Sequence, residues 1–155
     1  MARSGGPRRR RRVREAPAAR YPTGAQPELT GVVLDSDVII EILRGARGTL
    51  QAAIALEESG VPTFCTAISW AEIFAGVRRG EEAVTRAFFE ARGEVVLDDK
   101  IGRQAGDYLA RYAKSHRVEI ADALIAAAAA TSGLRLWTLN RKHYPMQDLR
   151  FFEGR

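Results

Sequence analysis

From Val32 onward the chain alternates short apolar runs with stretches of helical period, and this alternation restricts the possible folds more than any other feature. Strand-like runs fall at 32–34, 62–65, 95–97 and 134–139, with a last edge strand at 149–152. Helical stretches are expected at 38–43, 49–58, 69–79, 81–91, 99–115 and 121–131. Gly45 and Gly48 punctuate the end of the first. In the third, Trp70, Ile73, Phe74 and Val77 follow the i, i+3, i+4, i+7 spacing of one helix face. Strands separated by helices cannot pair as hairpins. They call for a parallel sheet with helices on both faces. The expected class is therefore α/β, a three-layer fold around a central parallel sheet of four to five strands.

Within this frame a few carboxylates stand where a surface residue would not be expected. Asp35 directly follows the run Val32-Val33-Leu34, and ligands of parallel sheets bind at the carboxyl ends of strands. Asp37 is read as the N-cap of the next helix. Asp35 fits that role less well, because Ser36 and Asp37 are better placed for it. Glu72 has Ile68, Ala75 and Gly76 as same-face neighbours, so its helix looks covered around it. A buried carboxylate is costly unless it is paired or binds a metal. An exposed Glu72 paired with Arg78 or Arg79 is the plainer alternative. Asp122 precedes Ala123-Leu124-Ile125 and an alanine run to Ala130, a helix apolar all round and so interior. First-turn stabilisation by the helix dipole explains an acid there, but not the apolar surroundings. Asn140 ends the run 134–139, and Arg141, Lys142 and His143 follow it. Cationic groups beside carboxylates would suit an anionic backbone substrate, and a solvated loop is the plainer reading. If Asp35, Glu72 and Asp122 converge, they make a hard, all-oxygen site suited to Mg²⁺ or Mn²⁺. His116 and His143 have no zinc-ligand spacing.

The net charge of +5 over 155 residues points at first to nucleic acid. Its location removes that inference for the folded part. Residues 1–29 hold eight Arg and two Glu, a net of +6, and the remainder carries 16 basic and 17 acidic residues, a net of −1. The segment 1–29, with Arg8 to Arg12 in a row and few apolar residues, is expected to be disordered, with the domain occupying 30–155. It can serve as a polyanion-binding tail or a solvated extension, or the true start can lie further on. The single cysteine, Cys65, cannot form an internal disulfide, which fits a reducing cytoplasm. The longest apolar run, 123–130, is far short of the ~20 residues that span a bilayer.

Four motifs in order, VVLDSDVIIEILRG, TAISWAEIFAG, ADALIAAAA and LWTLNRKHYP, resemble those of the PIN-domain ribonucleases, and among them the VapC-type toxins of toxin–antitoxin operons. The resemblance runs from about Val32 to Phe152. It implies a PIN-like fold and metal-assisted hydrolysis of RNA phosphodiester bonds with Mg²⁺ or Mn²⁺. It implies Asp35, Glu72 and Asp122 as the first, second and third acidic ligands, and Thr138 as a supporting hydroxyl. Asn140 stands where many members have a further Asp, which puts a tightly held second metal in doubt. Asp37 matches a position where members vary. The resemblance further implies a homodimer, an RNA substrate, a small DNA-binding VapB-type antitoxin as partner, and a cytoplasmic enzyme.

Two rival readings use other residues. LDSDVII fits the opening Asp-x-Asp of a haloacid-dehalogenase-type phosphatase, with Asp35 as nucleophile, Asp37 as acid/base and Asp98-Asp99 as later ligands. Lys100 follows that acidic pair where the phosphatase pattern needs a preceding Lys, and Glu72 and Asp122 are left without a role. A non-catalytic nucleic-acid-binding protein acting through residues 1–20 is the other.

Overall fold

A computed structural model of the chain describes residues 31–154. The Arg-rich segment 1–29 lies outside the described residues. The order of elements is β1 (Val32–Leu34), α1 (Ser36–Leu43), α2 (Arg47–Glu58), β2 (Thr63–Thr66), α3 (Ala67–Gly76), α4 (Glu82–Glu90), β3 (Gly93–Val95), α5 (Asp99–His116), α6 (Ile120–Thr131), β4 (Arg135–Trp137) and β5 (Arg150–Phe151), with a 3-10 turn at Arg141–His143. All five strands are parallel, in the order β3-β2-β1-β4-β5. The strand order reverses on either side of β1, the earliest strand, so the carboxyl end of β1 lies at a topological switch point.

The pleat of β1 divides the core. Val33 faces one cluster, with Ile101, Ala105 and Tyr108 of α5 and Ala123 to Ala129 of α6. Val32 and Leu34 face the other, with Val38, Ile39 and Ile42 of α1, Ala52 and Leu56 of α2, Ile73 of α3 and Phe89 of α4. The alanines of α6 let α5 and the sheet approach closely, and Ala126 to Ala129 are fully buried. The interior helix read from the alanine run is thus present.

Several boundaries differ from expectation. The run 95–97 is not the third strand: β3 is Gly93–Val95, and Val96 is 69% exposed. The Phe64 ring lies over Gly93, where a Cβ would come within 2.5 Å of it, so bare backbone is needed in that strand. Helix α3 starts and stops earlier than 69–79. Thr66 accepts a hydrogen bond from the Ser69 N–H and caps its start, and the chain turns extended at Val77. Strand β4 is three residues long rather than the six of 134–139, because the chain leaves the sheet at Thr138 to meet α1. No described helix is long and apolar enough to cross a membrane.

Candidate active site

Asp35 extends β1 by one residue, and its backbone N–H donates to the Trp137 carbonyl on β4 at 2.9 Å. Its side chain is buried at the carboxyl edge of the sheet. The structure inverts the expected cap. Asp35 is the N-cap of α1, its Oδ1 accepting the Ser36 N–H at 2.7 Å, while Asp37 lies inside the first turn. Because α1 starts directly after the strand, Asp37 points its carboxylate elsewhere. Its Oδ2 accepts from the Thr138 hydroxyl at 3.3 Å and the Leu139 N–H at 3.1 Å, which joins α1 to the chain leaving β4. Thr138 is itself buried, and its Oγ1 accepts the Asn140 N–H at 3.0 Å.

Glu72 is exposed, so the expectation that α3 covers it is not met. The apolar side of α3 carries Ile73, Trp70 and Phe74 into the core, and the small side with Ala71, Ala75 and Gly76 faces out. Glu72 reaches the same corner from that outer side: the Ser36 hydroxyl donates to its Oε2. Its partner is therefore Ser36 rather than Arg78 or Arg79. Asp122 is in the first turn of α6 and caps it, its Oδ2 accepting the Glu119 N–H at 3.0 Å. Asp122 is also close enough to Asp35 to raise the pKa of that carboxyl. His143 Nδ1 stands 3.7 Å from Asp122 Oδ2. Arg141 is engaged elsewhere, paired with Glu153 at 2.6 Å and lying over the Phe151 ring. Lys142 is exposed on the same turn.

Sequence reading missed Tyr144. Its ring belongs to the α5–α6 core cluster, and its hydroxyl donates to Asp35 Oδ2 at 2.8 Å. A tyrosine one residue past three polar ones gives no signal of this contact, which spans 109 positions in sequence.

The electrostatics of the corner follow from crowding negative charge out of water. Burial pushes the Asp35 carboxyl above its ordinary 3.8. The Tyr144 and Thr138 hydroxyls and the Ser36 N–H oppose that rise, and the Asp122 charge adds to it. Burial, and then the Asp35 charge, raise Asp37 to about 6. Burial first, then the Asp35 charge and its hydrogen bond, push the Tyr144 hydroxyl far up, so it stays a donor. Asp37 Oδ1 is buried with no hydrogen-bond partner.

These oxygens fit a hard divalent cation in chemistry more than in present arrangement. The donors are carboxylates, and a buried oxygen without a partner beside a second buried carboxylate lacks a counter-charge. Yet no group of three or more His, Cys, Asp or Glu side chains among the described residues is arranged to hold an ion. Glu72 is hydrogen-bonded by Ser36, and Asp122 is folded back onto its own helix start. Both bonds are to single neutral donors, which a cation can outcompete.

The second acidic pair and the lone cysteine are excluded. Asp98 caps α5 by accepting the Ile101 N–H, and Asp99 pairs with Arg103, so the second acidic pair serves a helix start. Burial raises the Cys65 thiol to about 12, which leaves it a small apolar residue without nucleophilic character.

Comparison with known proteins agrees with the geometry. Residues 32–148 match the family model of the PIN domain. Ribonuclease VapC10 of Mycobacterium tuberculosis is 34% identical over 116 residues, 74% of this chain and 86% of that protein. Ribonuclease VapC19 of the same organism is 32% identical over 115 residues, 74% of this chain and 92% of the relative. Among solved structures, the DNA-bound VapBC complex of Salmonella typhimurium superposes with a TM-score of 0.67 at 19% identity, over 79% of this chain and 97% of that one, a likeness of fold. Sequence, topology and the acidic corner thus lead to one assignment: the chain belongs to the PIN-domain family, with VapC ribonucleases as its curated relatives.

Proposed function

We propose that this chain is a metal-dependent endoribonuclease that hydrolyses RNA phosphodiester bonds as the toxin of a type II toxin–antitoxin module. The observation that carries the reading is the buried Asp35, repelled by Asp122 and Asp37, at the carboxyl end of the central strand. Two curated relatives above 30% identity are named ribonucleases, which supports RNA as the substrate. Neither relative's name supports the phosphatase or the tail-driven binding protein.

Asp35, Glu72 and Asp122 would hold Mg²⁺ or Mn²⁺, and Asn140, whose backbone N–H is bonded to the Thr138 hydroxyl, stands where a fourth ligand could offer a neutral oxygen. When bound, such an ion neutralises charge on the scissile phosphate and makes an attacking water acidic enough to react near neutral pH. The chain's own residues do the rest. Ser36 keeps Glu72 at this corner through its hydroxyl, and Thr138 fixes the neighbouring Asp37. Lys142, on the turn beside Asp122, offers a cationic contact to the RNA backbone, and His143 a polar one. Arg141 is less available for that role, since Glu153 already neutralises it.

A groove of about 310 Å³ supports a peptide partner. It meets the acidic corner at Glu72 and runs over Ile40, Leu43, Val77 and Val84 between α1, α3 and α4. Apolar lining with Glu72 at its end and Arg44 and Arg78 beside it suits an amphipathic segment, as a VapB-type antitoxin would supply. Structural neighbours titled as VapBC complexes are consistent with such a partner. A homodimer and a cytoplasmic location are part of the same proposal.

The test is cleavage of labelled RNAs, including tRNA and rRNA, by the purified full chain with Mg²⁺, Mn²⁺ or EDTA, beside Asp35→Asn and Asp122→Asn. Cutting that needs metal and disappears in both variants is the expected result. Cutting that survives EDTA, or survives both substitutions, would refute the reading.

A further inference from the structure

We propose that Tyr144 is a positioning residue for the reaction, holding the Asp35 carboxylate in the one orientation the site uses. The inference rests on the metal-dependent reading above.

Both oxygens of Asp35 are tied by groups from different parts of the fold. Oδ1 takes the Ser36 N–H at 2.7 Å, from the start of α1. Oδ2 takes the Tyr144 hydroxyl at 2.8 Å, from the segment that follows β4. One donor on each oxygen, with the Thr138 hydroxyl beside them, restrains both torsions of an aspartate whose terminal torsion is otherwise broad. Each oxygen keeps lone-pair capacity for a further partner, so the bonds orient the carboxylate without using it up. The Tyr144 ring is 3% exposed among the packed residues of the α5–α6 side, so its hydroxyl comes from an element that cannot drift. The 3-10 turn just before it carries Lys142 and His143, and His143 stands against Asp122. One short segment therefore touches two of the acidic groups, Asp35 through Tyr144 and Asp122 through His143.

A bland reading competes with this one. A buried tyrosine hydroxyl needs some acceptor, and Asp35 could be merely the nearest. The two readings differ when the hydroxyl alone is removed. Tyr144→Phe keeps the ring and its packing. If the contact only satisfies the hydroxyl, the loss leaves the site unchanged. If it positions Asp35, metal affinity and turnover both fall, because groups that orient a metal's ligands typically contribute about 10- to 100-fold.

The experiment measures Mn²⁺ bound to wild type, Tyr144→Phe and Asp35→Asn by electron paramagnetic resonance of the free ion, with melting temperatures and RNA kinetics on the same samples. The expected result is a roughly tenfold weaker Mn²⁺ affinity for Tyr144→Phe. Its kcat falls by a similar factor, with KM for RNA unchanged, since the buried ring does not touch substrate. Unchanged or tighter Mn²⁺ binding by Tyr144→Phe, alongside clear loss in Asp35→Asn, overturns the proposal and leaves the metal site standing. Equal binding by wild type and Asp35→Asn removes the metal site itself, and the proposal with it.

Discussion

The two faces of the sheet are closed by different means. On the α5–α6 face, small side chains bring helix and strand into contact, and Ala126 to Ala129 are sealed from solvent. On the α1–α4 face, large rings do the filling: Trp70 stacks on Phe74 and Phe89 with centroids 5.0 and 4.4 Å apart. Trp70 and Phe74 remain partly exposed there, and Val84 is 67% exposed beside the groove. A face closed by alanines has no room to adjust, whereas a face closed by rings around a groove can admit a partner. The acidic groups divide along the same line. Asp122 and the Tyr144 anchor of Asp35 come from the sealed face, and Glu72 with its Ser36 partner comes from the open one. Geometry is therefore fixed for Asp35, held by Tyr144, and adjustable for Glu72.

That division can be tested by substitution. Asp35→Asn should lower RNA cleavage by roughly 10³-fold, the loss of several kcal/mol of transition-state stabilisation, measured as single-turnover rate. Glu72→Gln should cost only about tenfold, because an exposed, adjustable ligand leaves the other groups in place. Equal losses for the two would erase the distinction between the sets. In stability, Ala126→Leu should cost about 1–3 kcal/mol by overpacking, read from urea unfolding. Val84→Ser at the groove should stay within about 0.5 kcal/mol, while weakening capture of an antitoxin peptide.

A pH-dependent effect concerns Asp37. A carboxyl raised from 3.8 to about 6 in the folded state binds its proton more tightly there than in the unfolded chain. Its contribution to stability is therefore present below pH 3.8 and is lost as pH rises through about 6. Asp37→Asn should raise stability by about 1 kcal/mol near pH 8, after allowance for solvent screening of a half-buried group. The gain should vanish near pH 4. Thermal melts at both values check it, and a loss of stability at pH 8 would contradict the sign.

What the sequence revealed and what it hid follow from the range of each interaction. Alternation and the alanine run are local patterns, and they located the parallel sheet and the interior helix. Asp35 was marked by its place after an apolar strand, and Asp122 by its apolar surroundings. The covering of Glu72 was misread because small residues, Ala71, Ala75 and Gly76, can face solvent as readily as core. The Asp37–Thr138 and Tyr144–Asp35 bonds span 101 and 109 positions and depend on how β4 leaves the sheet. No periodicity encodes them. The third strand lies two residues earlier than expected because glycine is rare in strands, and only the Phe64 ring above Gly93 shows why it fits there.

The most direct test of the central claim, that the acidic corner is a divalent-metal site, is calorimetric titration of the full chain with Mn²⁺. The partners are Asp35→Asn, Asp122→Asn and, as a control on the α5 surface, Asp99→Asn. The account predicts binding in wild type and in Asp99→Asn, and at least about tenfold weaker binding in the other two. Equal binding across all four proteins, or none in wild type, would contradict it.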